Sequence, residues 1–290
     1  MGSLELYSKA ARHSARTVIA DYSTSFGLAT NLLPKAVRSH IKDVYALVRV
    51  ADEIVDGAAA EASGAAKLTL RKQLDDLEGQ VYAAMKTGFS ANLIVHAFAL
   101  TANEVGITRA MIAPFFESMR MDLSVRKHTP KSFKDYVYGS AEVVGLMCLR
   151  AFVAGRESHY TPMQRESLEL GALALGAAFQ KINFLRDLHA DFAELGRSYF
   201  PGVTVETFNE EQKQHLVDDI AADLIVAAHS IRLLPRDVRP AVSAAQFLFG
   251  DLTRKVAATP AEVLITTRIR VSNPRKIWLL VKAMLGATPK

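Results

Sequence analysis

The chain has 290 residues, half of them apolar, with only 16 glycines and 10 prolines; such a composition belongs to a globular chain with a sizeable core and excludes a disordered one. Its 35 basic and 30 acidic residues leave a formal charge of +5, a mild excess that suits anionic substrates or lipid head groups. Without Cys/His zinc spacing or aromatic–basic interleaving it gives no support to nucleic-acid binding, and the single Cys148 excludes an intrachain disulfide.

The first twenty residues carry charge throughout and lack the unbroken apolar core of a secretion signal. No run reaches the ~18 apolar residues of a membrane span, so the expectation is a cytoplasmic protein, soluble or peripheral on the inner face of a membrane. Ser25 is placed to cap a helix. Ile41, Val44, Tyr45 and Val48 then recur at i, i+3, i+4, i+7 and predict a helix over 38–56. "DGAAAEASG" (56–64) reads as a loop. Apolar stripes follow over 66–86, 91–105, 109–122, 132–155, 163–192, 211–233, 237–257 and 273–285. Prolines at 34, 130, 162, 201, 235, 260 and 274 fall between these stripes or near their starts, as helix punctuation does. Pro114, inside a stripe, predicts a start or a kink. "AQFLFG" (245–250) reads as core or as tunnel lining, and "EVLITTRIRV" (262–271) is an ambiguous β-branched run. "RKIWLLVKAMLG" (275–286) is basic and amphipathic, suited to docking on a bundle or to peripheral membrane contact. With no linker and no solenoid repeat, the pattern predicts one all-α domain spanning 1–290, a large helical bundle.

Two rows of polar residues interrupt the apolar pattern. Asp52 and Asp56 are one turn apart on the same helix face, with Glu53 beside them and Arg49 three residues before. Like charges at that spacing repel, and the C-terminal helix dipole has the wrong sign for them. Asn183, Asp187 and Asp191 form a second four-residue ladder, with Arg186 and His189 among them and Arg197 beyond. A solvated helix end explains either row alone. Two rows that each follow an apolar run ("VYALVRVA", "LALGAAF") also fit an Mg²⁺–diphosphate clamp at the mouth of a greasy cavity, since Mg²⁺ takes one or two carboxylates, waters and phosphate oxygens. His189 is offset from its row and reads as structural.

Four ordered blocks, "STSFGLATNLLP" (23–34), "YALVRVADEIVD" (45–56), "YVYGSAEVVGLM" (136–147) and "NFLRDLHADFAELGRSYFP" (183–201), resemble the squalene/phytoene synthase family, with weaker similarity to "RVSNPRKIWLL" (270–280). The resemblance implies the isoprenoid-synthase helical bundle, with two aspartate-rich motifs facing across a central cavity. It also implies Mg²⁺-dependent head-to-head joining of two allylic diphosphates through a cyclopropyl diphosphate, with Mn²⁺ able to replace Mg²⁺. The blocks look most like the phytoene-forming bacterial branch, which joins two geranylgeranyl diphosphates without NADPH. Carried over by position, Asp52, Asp56, Asn183, Asp187 and Asp191 are the implied metal ligands. Arg49 and Tyr45 are implied to act with the aspartates in catalysis. Ser23, Ser25, Phe26, Tyr136, Tyr138, Gln180, Arg186, Arg197 and Tyr199 are the implied substrate-binding residues.

Three positions depart from the family pattern: Glu53 replaces an aspartate, Ala190 stands where an acid is frequent, and Glu142 stands where small residues are frequent, either crowding the cavity or forming an ion pair. Squalene or dehydrosqualene formation from farnesyl diphosphate is the neighbouring alternative; the absence of a G-x-G-x-x-G fingerprint does not exclude NADPH, because family members bind it without one. A non-catalytic helical assembly factor is the alternative from another class, disfavoured because both acidic rows are retained. Oligomeric state is not legible.

Overall fold

A computed structural model describes residues 2–23, 25–63, 67–188 and 198–289, with backbone only at 25, 60, 63, 67 and 68. Helices dominate: α1 (Ser3–Tyr22), α2 (Ser25–Thr30), α3 (Lys35–Val55), α4 (Ala58–Ser63), α5 (Lys67–Thr87), α6 (Leu93–Val105) and α7 (Arg109–Ser124) form the first half. They are followed by α8 (Pro130–Val137), a π turn (Tyr138–Glu142), α9 (Val143–Val153), α10 (Pro162–Arg186), α11 (Glu210–Ile231), α12 (Arg239–Ala258), the short α13 (Ala261–Leu264) and α14 (Asn273–Met284). No named strand occurs among the described residues, and the one isolated bridge pairs Lys127 with Ser198.

Local chemistry sets many boundaries. Asn92 accepts the Ile94 and Val95 amides to start α6, and Gly106, at φ +76°, ends it in the left-handed conformation. Thr161 and Gln164 form a capping box around Pro162 at the head of α10. Burial then orders the elements into two cores. One gathers Leu47, Phe98, Ile112, Phe115, Phe116 and Met147 from α3, α6, α7 and α9. The other gathers Tyr136, Ile182, Leu185, Tyr199 and Ile220. α9 lies between α3 and α10 as a shared neighbour, and α10 also packs on α11 and α12. The α9–α10 approach is close because Gly145 faces the Ala172 carbonyl, where a Cβ would not fit.

The structure corrects several sequence expectations. The N-terminal segment, assigned no element, is the long helix α1, which buries Ala11, Ala15 and Ile19. Part of the loop over 56–64 is the short helix α4. The stripe over 163–192 does not continue as one helix: α10 ends at Arg186, and Asp187 leaves helical geometry (φ −101°, ψ 12°) while its amide still bonds the Asn183 carbonyl at 2.9 Å. Pro114 does not start α7, which runs through it. The ambiguous run over 262–271 is a helical turn followed by an irregular segment. The continuous helical stretch Pro130–Val153 is long and apolar enough to cross a membrane by length and composition, which the run-based reading missed. It packs on α7 and α10 through buried Tyr136, Val137, Gly139, Val143 and Met147, as a core helix does.

Candidate active site

The C-terminal turns of α3 carry the first acidic row. Asp52 is partly accessible, yet its carboxyl is pushed up to about 7, chiefly by burial and further by the Asp56 and Glu53 carboxylates, with Arg49 opposing. Cys148 of α9 shows the same combination, half-buried with its thiol pushed up to about 12 by burial.

Glu53 does not join the row. It pairs with Arg49 and accepts the Ala58 amide at 2.8 Å, which ties α3 to α4. The Asp52/Asp56 pair is thus left as the i, i+4 element, so the replacement of aspartate by glutamate is absorbed. Arg49 stacks its guanidinium on the Tyr22 ring at 4.5 Å, and its Nε is buried without a hydrogen-bond partner. A buried, unpaired guanidinium N–H is costly and suits an incoming anion. Tyr45 lies one turn before Arg49, stacked on Phe26 with ring centroids 5.8 Å apart. Burial raises its hydroxyl, while Arg49 and the Ser23 hydroxyl lower it. Ser23 Oγ also accepts the Gly27 amide at 3.4 Å at the head of α2. Ser23, Phe26, Tyr45, Arg49 and Asp52 are therefore brought together; the Ser25 side chain lies outside the described residues.

At the end of α10, Asp187 is held by two guanidinium groups. Arg186 Nε donates to Oδ1 at 2.9 Å with Nη2 on Oδ2, and Arg268 places Nε 2.7 Å from Oδ1 and Nη2 3.1 Å from Oδ2. Beside Arg186 is a cavity of about 420 Å³ with Arg268, Arg270 and Lys276 on its wall and Leu248 and Phe249 on its apolar side. Phe249 stacks on Phe179 of α10 at 3.7 Å, so "AQFLFG" is both core and cavity lining. Gln180 and Asn183 are half-buried on the last two turns of α10. Asp191 and Arg197, like His189 and Ala190, lie outside the described residues.

A buried aromatic group packs on Phe184, near the end of α10. The Tyr136 hydroxyl donates to Asp122 Oδ2 at 3.0 Å and the Tyr199 hydroxyl to Asp122 Oδ1 at 3.4 Å. Phe184 stacks on Tyr199 at 3.9 Å and lies 5.9 Å from the Tyr136 ring. Burial raises the Tyr136 hydroxyl well above its usual range, followed by Asp122, Tyr199 and Asp56. Tyr136 thus senses the first row while packing on the helix that carries the second. Tyr138 stands apart, 39% exposed at the start of the π turn. Glu142, at the other end of that turn, is raised by burial and Asp223, with Lys181 and Lys134 opposing; it faces the ionic group of α10 and α11.

Sequence reasoning missed Asp122 and Arg268. Asp122 was legible in principle, because it falls on the stripe Phe115–Ser118–Met119 that α7 buries. Arg268 had no comparable signal, since it sits in the irregular segment after α13.

Among the described residues no three His, Cys, Asp or Glu side chains converge on a metal position. The donor chemistry nevertheless fits a hard cation with a diphosphate: Asp52, whose ionisation is opposed by burial and by nearby carboxylates, a second carboxylate, Asp187, already flanked by two guanidinium groups, and an unpaired guanidinium N–H at Arg49.

The helical bundle has the isoprenoid-synthase fold. A dehydrosqualene synthase structure superposes with a TM-score of 0.79 at 22% identity, covering 98% of this chain and 99% of its own. The squalene synthase HpnC of Alicyclobacillus acidocaldarius gives 0.71 at 19%, covering 88% and 97%. Squalene/phytoene synthase matches residues 19–275, and the chain belongs to that family; it is a prenyltransferase. Among its relatives, the 15-cis-phytoene synthase of Synechocystis sp. is 31% identical over 94% of this chain and 84% of its own. That of Synechococcus elongatus is 30% identical over 96% and 94%, and the phytoene synthase of Rhodobacter capsulatus 28% over 94% and 80%.

Proposed function

We propose that this prenyltransferase is a phytoene synthase, which condenses two geranylgeranyl diphosphates head to head in the cytoplasm and releases two diphosphates. The observation that carries the chemistry is the pairing of opposite needs on α3: Asp52, whose ionisation is opposed by burial and by Asp56, one turn from Arg49, whose Nε is buried and unpartnered. One group calls for a cation and the other for an anion, and a metal diphosphate is both. The relatives named phytoene synthase support the chain-length reading.

Asp52 and Asp56 would hold Mg²⁺ from one side and Asn183, Asp187 and Asp191 from the other. Mn²⁺ could substitute in this oxygen donor set. When bound, the metal supplies Lewis-acid neutralisation of the departing diphosphate. The chain's own part is to bind and orient. Arg49 and Arg186 give charge-assisted hydrogen bonds to phosphate oxygens, with Arg268 alongside, and Phe26, Phe179 and Phe249 present an apolar interior that keeps water from an allylic cation. The double bond of the second substrate attacks that cation, and loss of a proton from the former cationic carbon closes the ring to give a cyclopropyl diphosphate. A second ionisation, rearrangement and proton loss yield a triene-centred hydrocarbon with no added reductant. Tyr136 is poorly suited as the final proton acceptor, because its hydroxyl proton is committed to Asp122 and its phenol stays neutral. Released diphosphate is the better acceptor.

Incubation with Mg²⁺ and labelled geranylgeranyl diphosphate, without NADPH, gives a C40 hydrocarbon in the hexane extract on this reading. A C30 product from farnesyl diphosphate alone moves the assignment to the squalene or dehydrosqualene side. Silence with both substrates restores the non-catalytic alternative.

A further inference from the structure

α14 has an apolar face turned toward the core and another turned away from it. Leu279 and Ala283 are buried toward the protein, and the helix packs on α12. Ile277, Trp278, Val281, Met284 and the following Leu285 are all exposed, from 46% at Val281 to 83% at Leu285. On a helix of 100° per residue these five positions fall within one continuous stripe about 120° wide. Large apolar side chains exposed in such a row mark a contact surface rather than a water-facing one.

Charge identifies the partner. Residues 263–290 contain Arg268, Arg270, Arg275, Lys276, Lys282 and Lys290 and no Asp or Glu. Arg275 is anchored to buried Asp251 of α12 through Nε at 3.0 Å and Nη2 at 2.8 Å, which fixes the rotation of the helix. Its guanidinium also lies 4.6 Å from the centre of the Trp278 ring. Lys282 sits over Trp278 and over Phe247 of α12, at the edge of the stripe. Lys276 and Asn273 of α14 line the cavity next to Arg186, so the helix borders that cavity.

We propose that the outer face of α14 is a docking surface for an anionic lipid bilayer, with Ile277, Trp278, Val281, Met284 and Leu285 entering the interface and the flanking lysines and arginines meeting acidic head groups. A second copy of the chain fits less well, because face-to-face pairing would set these cations against one another. The proposal stands on exposure and charge and does not depend on the phytoene reading.

Trp278 is the only tryptophan, so its emission reports this helix directly. The full chain is mixed with phosphatidylcholine vesicles, with or without phosphatidylglycerol, and with vesicles carrying brominated acyl chains. A blue shift with the acidic vesicles, quenching by the brominated chains and weakening at high salt are expected. In sedimentation with the same vesicles, Ile277→Ser/Leu285→Ser lowers the partition coefficient at least about tenfold with an unchanged circular dichroism spectrum. Ile225→Ser, at an exposed site on α11, leaves it unaltered. Emission unaffected by vesicles overturns the proposal, as does binding that survives the double substitution. A blue shift that tracks protein concentration without lipid overturns it in favour of self-association. Because the readout is binding, its failure would leave the assignment of the reaction untouched.

Discussion

Arg268 reaches back across 81 residues to Asp187 and places its Nε 2.7 Å from Oδ1, so the connection after α13 is joined by charge to the end of α10. The same carboxylate is gripped by Arg186. Two cations on one carboxylate bring two roles together: Asp187 is a candidate metal ligand, and each arginine is a candidate diphosphate donor.

Asp187→Asn is therefore expected to remove turnover by a factor of at least about 10³ while the helical circular dichroism is retained. Asp52→Asn is expected to do the same. Steady-state assays of labelled prenyl diphosphate consumption check both, and full activity in either variant sinks the two-row clamp.

The raised Asp52 carboxyl gives a pH dependence with a definite sign. Its folded value of about 7 lies above the ordinary 3.8, so the folded state binds more protons between those values. The stability it contributes is present in full below pH 3.8 and is lost as pH rises toward 7. Asp43, buried and also raised to about 7, chiefly by burial, contributes with the same sign. Asp52→Asn should raise Tm at pH 8 by a few degrees, about 2–4 °C per kcal/mol, with a smaller gain at pH 5. Metal binding needs the carboxylate, so wild-type turnover rises as pH increases through about 7, with a midpoint that moves lower as Mg²⁺ is raised. Thermal melts at the two pH values, and pH–rate profiles at two Mg²⁺ concentrations, test these signs.

Tyr136→Phe removes the 3.0 Å donor from buried Asp122 while keeping the ring against Phe184. Leaving a buried carboxylate short of a partner costs about 1–3 kcal/mol, visible as a lower urea midpoint. If Tyr136 only orders the site and is not the proton acceptor, product identity is unchanged. A different hydrocarbon from this variant would show a direct part in the terminating step.

Gly139 lies in the π turn against the Pro114 carbonyl and Ser118 Oγ, where an added Cβ has no room. Gly139→Ala is expected to destabilise by about 1–3 kcal/mol through overpacking, and to lower turnover as Tyr136 and α9 shift. Matched denaturation and activity curves check it; an unperturbed midpoint would mean that α7 yields easily.

The helical class and most stripe positions were legible in the chain alone, because hydrophobic periodicity is a local property. Asp52 sits on the last turn of α3, but Asp56 lies just past it at φ −133° and ψ −6°, so helical period alone does not set how the two carboxylates sit. What locality does not carry, the tertiary structure decided. Glu53, a departure from the family pattern in the sequence, is a strut because Ala58 and Arg49 lie within its reach. The row Asn183–Asp187 lost its continuous helix because α10 ends at Arg186. Arg268 met Asp187, and Asp122 met Tyr136 and Tyr199, through packing of segments distant in sequence, and no period within either segment encodes such an encounter. The same reason separates the two faces of α14: its amphipathic, basic character was plain from the sequence, but only docking on α12 through Leu279 and Ala283 showed which apolar side chains are left facing outward.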